Sequence, residues 1–357
     1  MTLNLVSPEA FRGQMAGVTC AAMVDDSLLG RRVVLRRRVG SQHYADVLGE
    51  LIDAGDPVRI RRENGDVITV AEAEIHRLKA IPPRPARSVS PLELAEISAA
   101  GWPAPDTDWL GRWLLRAADG WTGRANSALP LGDPGLPVAD AVDFVRDWYA
   151  RRDLPARFQV PMPRYGSAPE SLRAHGSAPE SLRDAESLDR ALAQRGFSAI
   201  SLTLVQTASL AAVSGPPLDG LPEVALDPRP SAEWLSGYHY RGGDSLPAVA
   251  MSILTGARRP IFASVRIDGD VAAIARAVVD SGWLGVTALE VAPAFRRRGL
   301  AVHVMRALAT WGAGRGARQS HLEVFESNSA ALALYEKLGF ATHHRYHYRI
   351  DRPATPS

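Results

Sequence analysis

Between residues 31 and 70 apolar and charged positions alternate in short runs, at 31–36, 46–52, 57–61 and 66–70. Period two over four to seven residues describes strands with one face buried. Ala54-Gly55-Asp56 and Asn64-Gly65-Asp66 separate the runs, and Asn64-Gly65 between alternating stretches marks a hairpin. Four or five short strands in residues 1–88 predict a small SH3-like β-barrel, its arginines on a solvated outer face. The proline-rich stretch 81–87 reads as a stiff linker.

Beyond the linker the period changes. In 89–212 strands are expected near 113–116, 122–128, 157–160 and 198–205, with helices at 138–152 and 187–194. The first helix carries Val138, Ala141, Val142, Val145, Trp148 and Tyr149 on one stripe. The octapeptide Gly-Ser-Ala-Pro-Glu-Ser-Leu-Arg occurs twice, from Gly166 and from Gly176, which predicts a mobile loop at 166–183 rather than a solenoid. Residues 213–350 are patterned more regularly. Helices read at 232–240, 247–254, 299–313 and 329–338, and strands at 261–266, 271–279, 283–291, 321–325 and 340–348. That order predicts an α/β, α+β-type mixed sheet with helices packed on it, followed by a tail at 351–357.

Composition narrows the function classes. The 357 residues are 46% hydrophobic and 22% charged, as in a globular protein. Forty-one basic against 39 acidic side chains leave a net charge of +2, too little to hold nucleic acid by charge alone. The single cysteine, Cys20, excludes an intramolecular disulfide and a cysteine metal cage. Residues 1–14 hold no apolar core of signal-peptide length, and no apolar run is long enough to span a bilayer. A cytoplasmic protein with no membrane partner and no metal is expected, with a homodimer left open.

Two strings carry chemistry. In the first, Leu289-Glu290-Val291 ends a strand, and Arg296-Arg297-Arg298-Gly299-Leu300-Ala301 opens an amphipathic helix. Amides at a helix start lack partners within the helix and lie at its positive end, which suits a phosphate or pyrophosphate. Gly299 permits close approach of the anion, and the arginines add charge. The second string runs from Leu322-Glu323-Val324 through Asn328, Ala331 and Tyr335 to Leu338-Gly339-Phe340.

As an ordered pair, these strings resemble the GCN5-related N-acetyltransferase (GNAT) superfamily. Arg296-x-x-Gly299-x-Ala301 resembles its pyrophosphate loop, and 328–340 its second block. The resemblance implies acetyl-coenzyme A as donor, a primary amine as acceptor and direct transfer without a covalent intermediate. It implies that the strand ending in Leu289, Glu290 and Val291 splays from its neighbour and pairs with the pantetheine arm. The Val291 N–H would face the thioester carbonyl, and Asn328 would bond the cofactor arm. Tyr335 matches the family's general acid. Glu323 stands twelve residues before it, as in the ribosomal-protein alanine acetyltransferase branch, whose base sits there. It would act directly or through water, or serve as a structural acid. Glu290 is the competitor, turned by strand alternation from the side shared by Leu289 and Val291. His343, His344 and His347 do not share one face of the last strand and are expected to line the acceptor mouth rather than bind zinc.

The run from Leu188 to Phe197 echoes Leu332 to Phe340, so the middle segment reads as a degenerate GNAT-like half. Aligned on the leading leucines, its counterpart to Tyr335 is Ala191. If its sheet continues the next one, Arg124 and Asn126 reach the acceptor pocket, where Arg124 can bind a carboxylate bidentately. The layout resembles actinobacterial GNAT proteins with an SH3-like N-terminal domain, described as N-acetylglutamate synthases or as histone-type acetyltransferases. A small amino acid such as glutamate is the expected acceptor. A protein lysine or N-terminal amine, and a non-catalytic acyl-coenzyme A regulator, are the alternatives.

Overall fold

The computed structural model describes residues 28–29, 32–39, 43–62, 66–80, 89–162, 180–239 and 246–351. Cys20, the Asn64-Gly65 turn, the 81–87 linker and the duplicated octapeptides up to residue 179 lie outside them. Two compact units divide the chain, Met1–Arg84 and Pro85–Ser357.

In the first unit β1 (Arg32–Arg38), β2 (Tyr44–Asp53), β3 (Val58–Arg61), β4 (Val67–Val70) and β5 (Ile75–Ala80) form an antiparallel sheet of order β4-β3-β2-β1-β5. Alternate residues Val33, Leu35, Val47, Leu51, Val58 and Ile60 are fully or nearly fully buried. Arg36 is turned outward onto Asp46, at 2.8 Å. The expected barrel does not close: among the described residues β4 and β5 do not pair. β4 has only four residues, all paired to β3, and a 3-10 turn at Glu72–Glu74 delivers the chain to the far edge beside β1.

The second unit opens with a helix that the apolar periodicity did not single out, α1 (Pro91–Gly101). Its start is set locally. Ser90 Oγ accepts from the Glu93 amide at 3.2 Å, and the Glu93 carboxylate accepts from the Ser90 amide at 2.7 Å. This capping box, with Pro91 at the first turn, is a strong helix start. A small sheet follows, of β6 (Asp106–Leu110), β7 (Trp113–Ala117) and β8 (Leu129–Pro130). The strand expected at 122–128 is instead a turn, with Thr122 at φ +63° and a 3-10 helix at Arg124–Asn126.

Next come α2 (Val138–Ala150), β9 (Arg157–Met162), α3 (Glu180–Gln194), β10 (Ser198–Ser209) and α4 (Leu210–Val213). After them are β11 (Ala225–Asp227), α5 (Ala232–Ser236), α6 (Ala248–Gly256), β12 (Ile261–Ile267), β13 (Asp270–Asp280) and β14 (Trp283–Val291). The chain ends with α7 (Leu300–Ala313), β15 (Gln319–Phe325), α8 (Ser329–Lys337) and β16 (Ala341–Ile350). The main sheet has eight strands in the order β11-β12-β13-β14-β15-β10-β16-β9. β10, from the segment before residue 212, therefore lies between two strands that come more than a hundred residues later.

This mixed α+β sheet is covered on both faces. α7 buries Leu300, Val304, Met305 and Leu308 against Ala275, Leu284 and Val286. Each such aliphatic side chain contributes roughly 1.5–3 kcal/mol. On the opposite face Ile274 and Phe262 pack with Trp234 and Ile253, while Leu94 of α1 packs with Val205, Trp283 and Tyr346.

Candidate active site

β14 and β15 are parallel neighbours for only three residue pairs, the last being Gly285 with His321. Past that point they diverge, and residues 287–291 of β14 are half-buried. Gly285 is needed at the fork because a Cβ there would sit 2.8 Å from His321 Nε2. β14 also bulges against β13. Ile274 faces Glu290 and Arg276 faces Thr287, so Ala288 and Leu289 together oppose Ala275. Ala288 takes φ +53°, a left-handed conformation that costs a non-glycine residue about 1–2 kcal/mol. The strain lies where the strand leaves its neighbour. Beyond the bulge the Ala292 amide donates to Ala272, so alternation turns the Val291 amide away from β13, toward the opening.

The turn into α7 is built for a tight approach. Gly299 caps the helix at φ +82°, and Arg297 is also left-handed at φ +64°. The side chains of Arg296, Arg297 and Arg298 are exposed. Arg296 Nε donates to the Val291 carbonyl at 3.2 Å, and the Arg298 guanidinium lies 5.6 Å from the Phe295 ring centre. Leu300 is buried and Ala301 half-buried behind them. His303, a turn later, accepts from the Leu218 amide at 3.2 Å and donates to the Pro222 carbonyl at 2.9 Å. It ties the first turn of α7 to the loop whose Leu218 packs against Gly299.

The candidate acid and base lie on opposite faces of the sheet. Tyr335 joins the core that holds Leu289, Val291, Leu322 and Val324, its ring 5.8 Å from that of Phe340. Burial pushes its phenol up to about 12, so it holds its proton at neutral pH. Glu323 faces the other way and its side chain is only 5% exposed. It accepts from Ser98 Oγ and from the Tyr346 hydroxyl, the latter at 2.6 Å, and lies 3.4 Å from Arg124 Nη1. Burial alone would raise its carboxyl, but Arg124 and the two hydroxyls outweigh that and hold it below the ordinary range. Glu323 is therefore an anion.

A family model described as "Probable histone acetyltransferase Rv0428c C-terminal" matches residues 89–349. The chain belongs to this family. A second model, "Rv0428c N-terminal Sm-like domain", matches residues 27–79, so the open sheet of the first unit is Sm-like rather than an SH3-like barrel. The probable histone acetyltransferase Rv0428c of Mycobacterium tuberculosis is 29% identical over 336 residues, covering 90% of this chain and 94% of that protein. An uncharacterized N-acetyltransferase, YobR of Bacillus subtilis, is 26% identical over 264 residues, covering 73% and 98%. Among solved structures, a GCN5-related N-acetyltransferase from Kribbella flavida superposes with a TM-score of 0.51 at 18% identity, covering 74% of this chain and 96% of that one. The chain is a GNAT N-acetyltransferase with an Sm-like unit ahead of it.

Within this GNAT fold the other expected site residues are placed unequally. Asn328 caps α8, its Oδ1 accepting from the Ala331 amide at 3.1 Å. Glu290 accepts from the His239 amide at 3.0 Å, and burial raises its carboxyl. Alternation does not separate it from Glu323, since both point away from the face shared by Leu289 and Val324. What sets the two apart is the balance of charge: burial outweighs His239 and raises the Glu290 carboxyl, whereas Arg124 and two hydroxyls hold that of Glu323 down. Asn126 is buried and turned into its own loop. Its Oδ1 accepts from the Ala118 and Gly120 amides at 2.8 and 2.9 Å, and its Nδ2 donates to the Trp121 and Thr122 carbonyls at 2.7 and 2.9 Å. A loop pin explains all its polarity.

The histidines of β16 are likewise engaged. His343 Nε2 donates to the Val89 carbonyl at 2.9 Å, and its Nδ1 meets His344 Nδ1 at 2.8 Å. His347 Nε2 lies 2.6 Å from Asp189. Among the described residues no group of three or more His, Cys, Asp or Glu is arranged to hold a metal.

Sequence reading missed Ser98, Trp102 and Arg276 as neighbours of this site. Arg124 lies over the Trp102 ring at 4.8 Å, and Arg276 approaches the same indole at 5.3 Å. A cavity of about 10 Å³ sits at the fork, lined by both arginines, Ser98, Gly101, His321 and Glu323. The Ser90-x-x-Glu93 capping box was a legible sign of the helix that brings Ser98. Nothing local marks Arg276, which reads as one charge in a run of alanine and valine.

Proposed function

We propose that this chain transfers the acetyl group of acetyl-coenzyme A directly to the primary amine of a small amino acid. The observation that carries the reading is the fork: a strained, splayed strand with a left-handed glycine turn at its end and an ionised carboxylate across the sheet.

Leu289, Glu290 and Val291 would offer backbone to the pantetheine arm, with Asn328 beside it. Arg296, Arg297, Arg298 and the amides from Gly299 to Ala301 would hold the diphosphate. The cosubstrate supplies the activated acetyl group. The Val291 N–H, turned to the open side, would bond the carbonyl oxygen as negative charge gathers on it. Arg296 already occupies the Val291 carbonyl, which leaves the amide of that residue as its available group. Tyr335 would give a proton to the departing sulfur from the α8 face. An amine arrives at neutral pH as an ammonium, and Glu323 would attract it and take its proton, directly or through water. Its pairing with Arg124 makes it a weak base and a strong electrostatic anchor. The roof of α1 and the Arg124 turn over the cavity favours a small acceptor.

A second reading is a protein amine, with the Sm-like unit docking the target. It is favoured by the name of the M. tuberculosis relative.

Calorimetry with coenzyme A, and product mass spectrometry with free glutamate against a basic peptide, test the reading. Tyr335→Phe is expected to lower kcat roughly 100-fold or more while leaving coenzyme A affinity intact. Full activity in that variant would remove Tyr335 as the acid, and no affinity for coenzyme A would remove the enzyme.

A further inference from the structure

Arg276 is fully buried in the centre of β13, an uncommon place for a guanidinium. Its Nε donates to the Leu254 carbonyl at 2.7 Å and its Nη1 to the Gly101 carbonyl at 2.9 Å. Both acceptors are neutral. Its Nη2 is buried without a hydrogen-bond partner, and so is His321 Nδ1. Arg276 and His321 both line the cavity at the fork. Around Trp102 and this cavity stand two guanidiniums, Arg124 and Arg276, and among the described residues one carboxylate, Glu323. Burial and the nearby charge of Arg124 together push Arg276 down to about 9, which records how poorly its charge is compensated. A buried cation of this kind needs an anion or a full set of acceptors.

The cavity therefore presents opposite charges side by side. Glu323, with the Ser98 and Tyr346 hydroxyls on it, suits an ammonium. The free edge of Arg276, with Arg124 and His321 lining the same cavity, suits a carboxylate. The cavity's volume, about 10 Å³, holds one water-sized group, so it can take a single carboxylate oxygen while the rest of the acceptor stays outside it. A free α-amino acid carries ammonium and carboxylate on one carbon and is the complement of this arrangement. A lysine side chain carries no carboxylate, and a protein N-terminus has an amide in its place.

We infer that the acceptor is a free α-amino acid, recognised through its main-chain carboxylate by Arg276 and Arg124 while its ammonium lies against Glu323. This rests on the acetyltransferase reading above. It adds that the specificity determinant is the carboxylate, and that Arg276 of β13 reads it.

The test uses the full chain with acetyl-coenzyme A and matched acceptors: L-amino acids, their α-amides, the corresponding decarboxylated amines and a lysine-containing peptide. Amidation of the best amino acid is expected to lower kcat/KM roughly 10- to 100-fold, the range for losing one charged hydrogen-bond partner. In Arg124→Gln the acid-to-amide ratio should fall toward one, with Arg124→Lys intermediate. Arg276→Lys keeps the buried charge with fewer donors and should shrink the same ratio, read as a ratio so that partial unfolding does not enter it. Equal rates for acid and amide, or a preference for the peptide, would overturn the inference and leave the acetyltransferase reading standing. Transfer to no amine at all would sink both.

Discussion

His321 and His344 are buried within the site unit, and burial pushes their rings down to about 4 and about 3. Both are neutral in the folded protein at pH values where an unfolded histidine, near 6.5, becomes protonated. The unfolded chain thus binds more protons between pH 6.5 and 4, and stability must fall as pH falls through that window. Each histidine contributes a slope of about 1.4 kcal/mol per pH unit once well below 6.5. Glu323, held below the ordinary carboxylate range, adds a further loss only at the acid end. Chemical denaturation at pH 7.5, 6 and 5 should show this decline, and His344→Asn should roughly halve its slope. An unchanged slope in that variant would mean that the ring is not buried neutral. At the same scale, chemical identity was readable but assignment was not. Tyr335 and Glu323 stand out in the sequence, whereas Asn126 and Arg276 exchange their expected importance once partners are seen.

α1 shows how an element can be overlooked and still organise a site. Its apolar face is short and includes Ala95, Ser98 and Ala99 as buried positions, so no strong stripe advertises it. Its start is nonetheless written in Ser90-Pro91-Leu92-Glu93. Ser90→Ala removes the cap acceptor and should lower stability by about 1 kcal/mol. Because Ser98 bonds Glu323 and the Gly101 carbonyl accepts from Arg276, the same change should raise the acceptor KM while sparing coenzyme A affinity. Calorimetry beside steady-state kinetics separates the two, and equal effects on both ligands would show that α1 does not serve the acceptor side alone. β14 teaches the complementary lesson. Its span is legible from alternation, but its bulge at Ala288 arises from pairing with β13, which no local pattern encodes.

Across the whole second unit the decisive feature is the position of β10. It pairs with β15 through Thr203–Ser209 and with β16 along nearly its full length. A fragment of residues 213–357 would lack β10 and β9, leave β15 and β16 with unpaired edges, and expose Tyr346 and Tyr348. That fragment is expected to aggregate or melt without cooperativity, while residues 85–357 give a single cooperative transition by calorimetry. A cooperative melt from the shorter fragment would show that β10 is dispensable. The Sm-like unit buries its own apolar set, from Val33 to Val70, and so is expected to fold on its own residues.

Spacing alone determined most of the strands and helices and the glycine turn into α7, because period and helix-start chemistry act over a few residues, while the family resemblance named Tyr335 and Glu323 as candidates. Tertiary structure alone decided that Glu323 is an anion under Arg124, that Arg276 is left with an unmatched charge, and that β10 completes the sheet. Those outcomes depend on groups far apart in the chain, Ser98 and Glu323 among them, whose fields and hydrogen bonds meet only after the strands have been ordered.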